Sequence, residues 1–163
     1  TPKQVVESLA RCASGGGNLL LNIGPMADGT VPADSERILR QVGQWLNVNG
    51  ASIYGTDRSP YFTSTGMTTV KGSTVFVHVL RWPGRQLTVP RVLNRVRSAH
   101  MLASGQPVSF SQHGDRVLLE RLPARAPDPL DTVIVLELEG VPQALDYFRD
   151  GWDYPPEQPG KER

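Results

Sequence analysis

The groups in this chain that could do chemistry are few, and their spacing decides what each can do. In the first 50 residues the carboxylates are Glu7, Asp28, Asp34 and Glu36. Paired carboxylates are the usual machinery of acid–base and nucleophilic catalysis. Asp34 and Glu36, however, fall in the first turn of a predicted helix, where the helix dipole favours negative charge. Glu7 falls inside another predicted helix. Asp28 precedes Gly29, as in turns whose aspartate bonds its own backbone; the alternative for it is contact with a substrate on the same loop. None of the four reads as a nucleophile. Cys12 sits in the helical pattern Val5, Val6, Leu9, Cys12 and Ala13, so it reads as a small buried thiol. As the single cysteine it excludes an internal disulfide and any multi-cysteine metal site. His78, His100 and His113 lack metal-ligand spacing. The serines have no nucleophile-elbow context and the glycines form no phosphate-cradling loop. No catalytic residue, metal or cofactor is expected within this chain.

The stretch that could face a ligand is Gly15–Gly29, GGGNLLLNIGPMADG. Leu19–Ile23 is a near-continuous apolar run bounded by breakers, which predicts a strand covered on both faces. Asn22 interrupts the run near its C-terminal end. Ligands sit at that end of the strands in barrels and open α/β sheets. Asn22, Ile23, Pro25 and Met26 are therefore the candidate substrate-binding residues. A purely structural alternative stands beside this, with Ile23 in a barrel core and Asn22 bracing a loop.

Two helices must position that stretch. Thr1-Pro2 supplies an N-cap hydroxyl and a first-turn proline, and helical spacing runs to about Ser14. A second amphipathic helix is predicted over roughly 33–49, with a stripe of Ile38, Leu39, Val42, Trp45 and Leu46 and a left-handed Gly50 after it. Helix, strand, helix is an incomplete α/β unit, since a strand buried on both faces needs parallel neighbours and a full (β/α)₈ barrel takes about 250 residues. Those neighbours are expected from an upstream segment or from another chain. Beyond Gly55 the pattern becomes short strands separated by turns. They are expected at 68–70, 74–80, 86–89, 98–102, 107–111, 116–120 and 132–138, which predicts an antiparallel β-sandwich over 56–140. Within it His78 is expected to be half-exposed, and Trp82 reads first as a hairpin corner. Residues 141–163 form a tail rich in proline, aromatics and charge. Its aromatics, Tyr147, Phe148, Trp152 and Tyr154, are expected to lie against a domain surface, with a frayed end at 160–163.

Composition limits the partners. The chain has 163 residues, 39% hydrophobic and 20% charged, with a formal charge of +1. Lysines and arginines are scattered, so nothing points to nucleic acid. No apolar run approaches the roughly 20 residues that cross a bilayer, and no signal peptide opens the chain, so no membrane partner is expected. Thr1 leads straight into a helix, which reads as the middle of a longer polypeptide. Oligomeric state and compartment stay open.

One stretch also carries a resemblance. GGNLLLNIGPMADGTVP and the following ERILRQVGQWLNVNGASIYGT resemble the segment that closes the catalytic barrel of the α-L-fucosidases of glycoside hydrolase family 29. The match runs from about Gly16 to Thr56 and combines NIGP, DGT, GxWLxVNG and IYGT. FVHVLRWPG and PLDTVIVLELEG resemble, more weakly, the family's C-terminal β-sandwich. Family members usually carry glutamate where Ala51 stands here.

The resemblance implies a chain in two parts, α+β overall. Residues 1–55 would be the last helix–strand–helix of a (β/α)₈-type barrel, followed by an antiparallel β-sandwich. It implies a retaining hydrolase that removes terminal L-fucose from glycans or glycosides through a covalent fucosyl-aspartate. The aspartate and the glutamate acid/base of the family lie upstream of the NLLLNIGP strand, and neither motif occurs here. This segment would supply pocket wall and sandwich, and alone it should be inactive. Its partners would be a fucosylated substrate and the missing upstream barrel segment. Fucose is a 6-deoxy sugar, so Ile23 or Met26 would offer apolar surface to its methyl group. Trp45 is expected to pack between barrel and sandwich together with Tyr54. Family members are often secreted, periplasmic or lysosomal. The rival reading is a non-catalytic sandwich that binds carbohydrate or protein, with Tyr61, Phe62 and Trp82 as the candidate aromatics.

Overall fold

The structure, a computed structural model, describes residues 1–146. Helices α1 (Pro2–Ser14) and α2 (Ala33–Asn49) form where the apolar spacing predicts them. The Thr1 hydroxyl accepts the Gln4 N–H at 3.3 Å while the Gln4 side chain accepts from the Thr1 amine at 2.8 Å, a capping box. α1 ends in a Schellman motif: Gly16 donates to Ala13 O and Gly17 to Cys12 O, at 2.9 and 2.8 Å. Gly16 sits at φ +76, and a Cβ there would also press on the Arg58 side chain at 3.3 Å. Gly50 differs from expectation. Its φ is −58, because the chain runs on into a 3₁₀ turn, Gly50–Ser52, instead of reversing.

Eight strands follow: β1 (Asp57–Arg58), β2 (Thr68–Lys71), β3 (Thr74–Val79), β4 (Leu87–Val89), β5 (Val96–Met101), β6 (Ser109–His113), β7 (Arg116–Glu120) and β8 (Thr132–Leu138). They make a five-stranded sheet in the order β1-β2-β3-β8-β5 and a three-stranded sheet in the order β4-β7-β6, antiparallel throughout. The two sheets enclose the main core. On β3 and β8, Val75, Val77, Val79, Ile134, Leu136 and Leu138 point into it.

The alternate residues of those strands, Phe76, Val133 and Val135, point the other way and pack on Val6 of α1 and on Val42 and Trp45 of α2. The helix pair thus covers the outer face of the larger sheet, giving three layers. At their junction His78, expected half-exposed, is fully buried. Its Nδ1 lies 2.6 Å from Asp131 Oδ2, and its Nε2 is 3.4 Å from both Thr69 Oγ1 and Ser52 O. Trp45 Nε1 donates to Asp131 O at 2.9 Å, and the Trp45 and His78 ring centroids are 6.4 Å apart. Trp45 does bridge helices and sandwich; Tyr54, its expected companion, is 61% exposed. Gly66 packs so closely on this strand that an added Cβ would sit 1.9 Å from His78 O.

The predicted strand at Leu19–Ile23 is not formed in the described chain. Leu20 is 95% exposed and Leu21 45%. A strand with two apolar faces is stable only between neighbours that pair with its backbone, and both sheets are made of other segments. The tail aromatics Tyr147, Phe148, Trp152 and Tyr154 lie outside the described residues, as do residues 160–163.

Two stability predictions follow from this packing. Trp45→Ala should cost about 3–5 kcal/mol by urea denaturation. Trp45→Phe, which loses chiefly the bond to Asp131 O, should cost about 1–3 kcal/mol. A Trp45→Phe cost near zero would mean that the bond carries nothing. The second concerns Tyr61, whose hydroxyl donates to Gln143 O at 2.8 Å. Burial pushes its phenol up from 10.0 to about 12. A folded value above the unfolded one means that the folded state holds the proton longer, so this contribution is intact below pH 10 and drains away as pH rises from 10 to 12. Urea midpoints measured across that window should fall more steeply for the parent chain than for Tyr61→Phe.

Candidate functional site

The segment between α1 and α2 holds every candidate site residue. Its N-terminal end is anchored by the Schellman motif and by Ser59 N–H donating to Ser14 O at 3.3 Å. Its C-terminal end is a compact turn. Met26 N–H donates to Thr30 O at 2.8 Å and Gly29 N–H to Met26 O at 2.9 Å. Asp28 Oδ1 accepts the Thr30 N–H at 3.0 Å and the Thr30 hydroxyl at 2.7 Å. The turn-aspartate reading of Asp28 therefore describes its contacts, and the sequence cue was the Asp-Gly-Thr order.

Between these anchors Asn22 and Pro25 are exposed, Ile23 is half-buried and Met26 is 55% exposed. Asn22 makes no side-chain hydrogen bond among the described residues, so it braces no loop here. The four residues are brought onto one short stretch, with the Asp28–Thr30 turn immediately after it. No acid–base pair faces them. Glu7 pairs with Arg11, Asp34 with Arg37 and Glu36 with Arg40, each along its own helix. These are exposed pairs of small energetic weight. Cys12 is half-buried beside Leu9, Leu19 and Tyr54.

The constellation that most resembles catalytic machinery is His78–Asp131 with Thr69, and sequence reasoning missed it. The signal was present in β3, where Thr74–Val79 offers no polar alternation and so implies cover on both faces. With both partners fully buried, no substrate reaches the imidazole, and the cluster acts as a structural brace. No group of three or more metal-ligating side chains occurs among the described residues. Of the sandwich aromatics weighed for sugar binding, Tyr61 is buried, Trp82 is half-buried with Nε1 donating to Pro123 O at 2.9 Å, and Phe62 is 56% exposed.

The Asp28 turn can be tested by titration. The Thr30 backbone N–H, and after it the Thr30 hydroxyl, hold the Asp28 carboxyl below its ordinary 3.8. A lowered folded value means that the turn keeps these bonds above pH 3.8 and releases them only as pH falls through the lower value. The Thr30 amide proton shift, followed by NMR, should titrate with a midpoint below 3.8, and Asp28→Asn should abolish the transition.

The family model described as alpha-L-fucosidase matches residues 1–51, which include both helices and the segment between them. The human plasma alpha-L-fucosidase is 38% identical over 134 residues, covering 75% of this chain and 29% of that protein. The human tissue alpha-L-fucosidase is 33% identical over 150 residues, 85% of this chain and 31% of that protein. Among solved structures, alpha-L-fucosidase isoenzyme 1 from Paenibacillus thiaminolyticus superposes with a TM-score of 0.78 at 37% identity, over 85% of this chain and 35% of that one. The chain thus spans about a third of the length of the relatives it matches. By sequence and by fold, it belongs to the α-L-fucosidase family.

Proposed function

We propose that this chain is part of a retaining α-L-fucosidase, which hydrolyses terminal L-fucose from glycans or glycosides by two displacements through a covalent fucosyl-aspartate. In this reading residues 1–55 complete a (β/α)₈-type barrel as its last helix–strand–helix, and residues 56–140 are the accessory sandwich. Asn22, Ile23, Pro25 and Met26 form pocket wall, with Ile23 or Met26 against the C6 methyl group of fucose. The nucleophile and the acid/base come from the upstream barrel segment.

The observation that carries this reading is the family match over residues 1–51, together with the exposed apolar surface of the same residues. Leu20, Leu21, Met26, Val31, Leu39 and Val48 all face solvent. Burying a side chain of this size is worth about 1.5–3 kcal/mol, and Val31 and Leu39 line one open depression together, the kind of exposed apolar surface that marks an interaction site. Upstream barrel strands would cover that surface and give residues 19–23 the backbone partners a strand requires. The rival sandwich-only reading keeps just Phe62 as an exposed aromatic.

The test compares the isolated 163-residue chain with the same chain joined to its upstream segment, on an aryl α-L-fucoside. The isolated chain should release no fucose. The joined protein should release it with retained configuration at the anomeric carbon, as read by NMR of the first-formed sugar. Fucose release by the isolated chain would overturn the division of labour, and inversion would overturn the double displacement. In the joined protein, replacing both Ile23 and Met26 by alanine should lower kcat/KM by roughly 10–200-fold, the worth of a lost methyl contact. An unchanged kcat/KM would remove these residues from the pocket.

A further inference from the structure

We propose that the cleft at the end of the sandwich where β7 finishes and β6 begins binds a single sugar carrying one anionic group, a uronic acid carboxylate or a sulfate ester. Three pieces of chain converge there: residues 82–86 ahead of β4, residues 102–108 between β5 and β6, and residues 121–123 after β7. The cleft measures about 340 Å³. Ligand pockets span roughly 300–1,000 Å³, so it has room for one ring rather than an extended chain. Its walls are held before any ligand arrives. Leu122 N–H donates to Arg85 O at 3.0 Å, Trp82 Nε1 to Pro123 O at 2.9 Å, and Met101 N–H to Gln106 O at 2.9 Å. Met101, Val108 and Leu122 belong to the sandwich core and also line the cleft, offering apolar surface to the C–H face of a sugar ring.

The polar groups of the cleft are not used by the fold. Arg85, Gln106, Ser109, Glu120 and Arg121 line it, and none of their side chains has a hydrogen bond or ion pair among the described residues. Arg121 stands apart from the rest. It follows β7 at φ 55, a left-handed conformation that glycine adopts freely and other residues seldom do. An arginine in this glycine-type position makes no side-chain bond within the fold, and it keeps an exposed cation at the rim, between half-buried Glu120 and buried Leu122.

Chemistry selects the ligand. A guanidinium is a planar fork that matches a carboxylate or a sulfate, and the two arginines come from separate segments. Their charges, against that of Glu120, leave one positive charge for an anion. A carboxylate such as Glu120 only accepts hydrogen bonds, so the ligand must bring O–H donors as well as its charge. Gln106 and Ser109 both donate and accept, as the remaining hydroxyls require. A sugar acid or sugar sulfate supplies anion, hydroxyls and C–H face in one ring. This inference rests on the cleft and not on the fucosidase reading.

The experiment titrates the full chain with methyl β-D-glucuronoside, N-acetylglucosamine 6-sulfate, methyl β-D-glucoside and sodium sulfate, followed by amide and arginine Nε–H NMR. At least one of the two acidic sugars should give saturable shifts at Gln106, Ser109, Arg121 and Leu122 while Val6 stays unmoved, and the one that binds identifies the anion. Arg85→Gln and Arg121→Gly should each raise its Kd at least about tenfold. Glycine takes the φ of residue 121 without strain, so Arg121→Gly should keep the parent's urea midpoint or exceed it, and its loss of binding is then not a loss of fold. No saturable shift from either acidic sugar would overturn the proposal. So would equal affinity for the neutral glucoside, equal affinity for inorganic sulfate (a plain anion site), or variants that bind as the parent does.

Discussion

The outer face of the five-stranded sheet carries an ionisable pair, His78 and Asp131, sealed beneath two helices, and that burial constrains everything packed around it. Removing such groups from water costs several kcal/mol per ion unless geometry and hydrogen bonds compensate. The compensation comes from four separate pieces of chain: the Asp131 carboxylate on His78 Nδ1, the Ser52 carbonyl and the Thr69 hydroxyl near Nε2, and the Trp45 indole on the Asp131 carbonyl. Thr69 in turn donates to Ser52 O at 2.6 Å. Each contact fixes one element against another, so α2, the 3₁₀ turn, β2, β3 and the approach to β8 share a single solution. Asp131 Oδ1 alone is left without a partner among the described residues. That oxygen weakens the cluster, because buried polar networks are strong only when every member is satisfied.

Much of the architecture was legible because its causes are local. α1 and α2 follow from periodicity plus caps, and β7 and β8 end where turn residues or the side-chain pattern end. β3 and β8 illustrate the limit of that logic. Their short apolar runs, Val75–Val77 and Val133–Leu136, marked strands but could not say that one face meets a second sheet and the other a helix pair. His78 was misplaced for the same reason. A histidine in a strand is read from its neighbours in sequence, whereas its burial comes from Asp131, 53 positions away along the chain. Gly50 was misjudged on a local rule, since the helix is continued by a 3₁₀ turn that the buried Ser52 and Asn49 hold in place, with Ser52 Oγ donating to Asn49 O at 2.7 Å.

The site was legible in a different way. Asp28 and its turn could be read residue by residue, because their bonds close within three positions. The strand at Leu19–Ile23 could not form from local information, because a strand exists only as part of a ladder. Its side chains still have the apolar character that a ladder would bury. Leu20 and Leu21 are costly to leave in water, and nothing in the two sheets of this chain competes to cover them.

On α2 the apolar groups are not confined to the face that meets the sandwich. One flank of α2 presents Val42, Trp45 and Asn49, all buried against the sandwich side or the turn that follows. Leu39 and Val48, nine positions and so half a turn of the helix apart, border that face on opposite sides and stay exposed. The sandwich sets the position of α2 through the Trp45–Asp131 bond and the packing of Val42 and Trp45 on Phe76, Val133 and Val135. Because the segment between the helices enters α2 directly at Ala33, whatever holds α2 on the sheet also sets where Asn22 to Met26 can sit. The sandwich thereby acts as the support from which that segment extends.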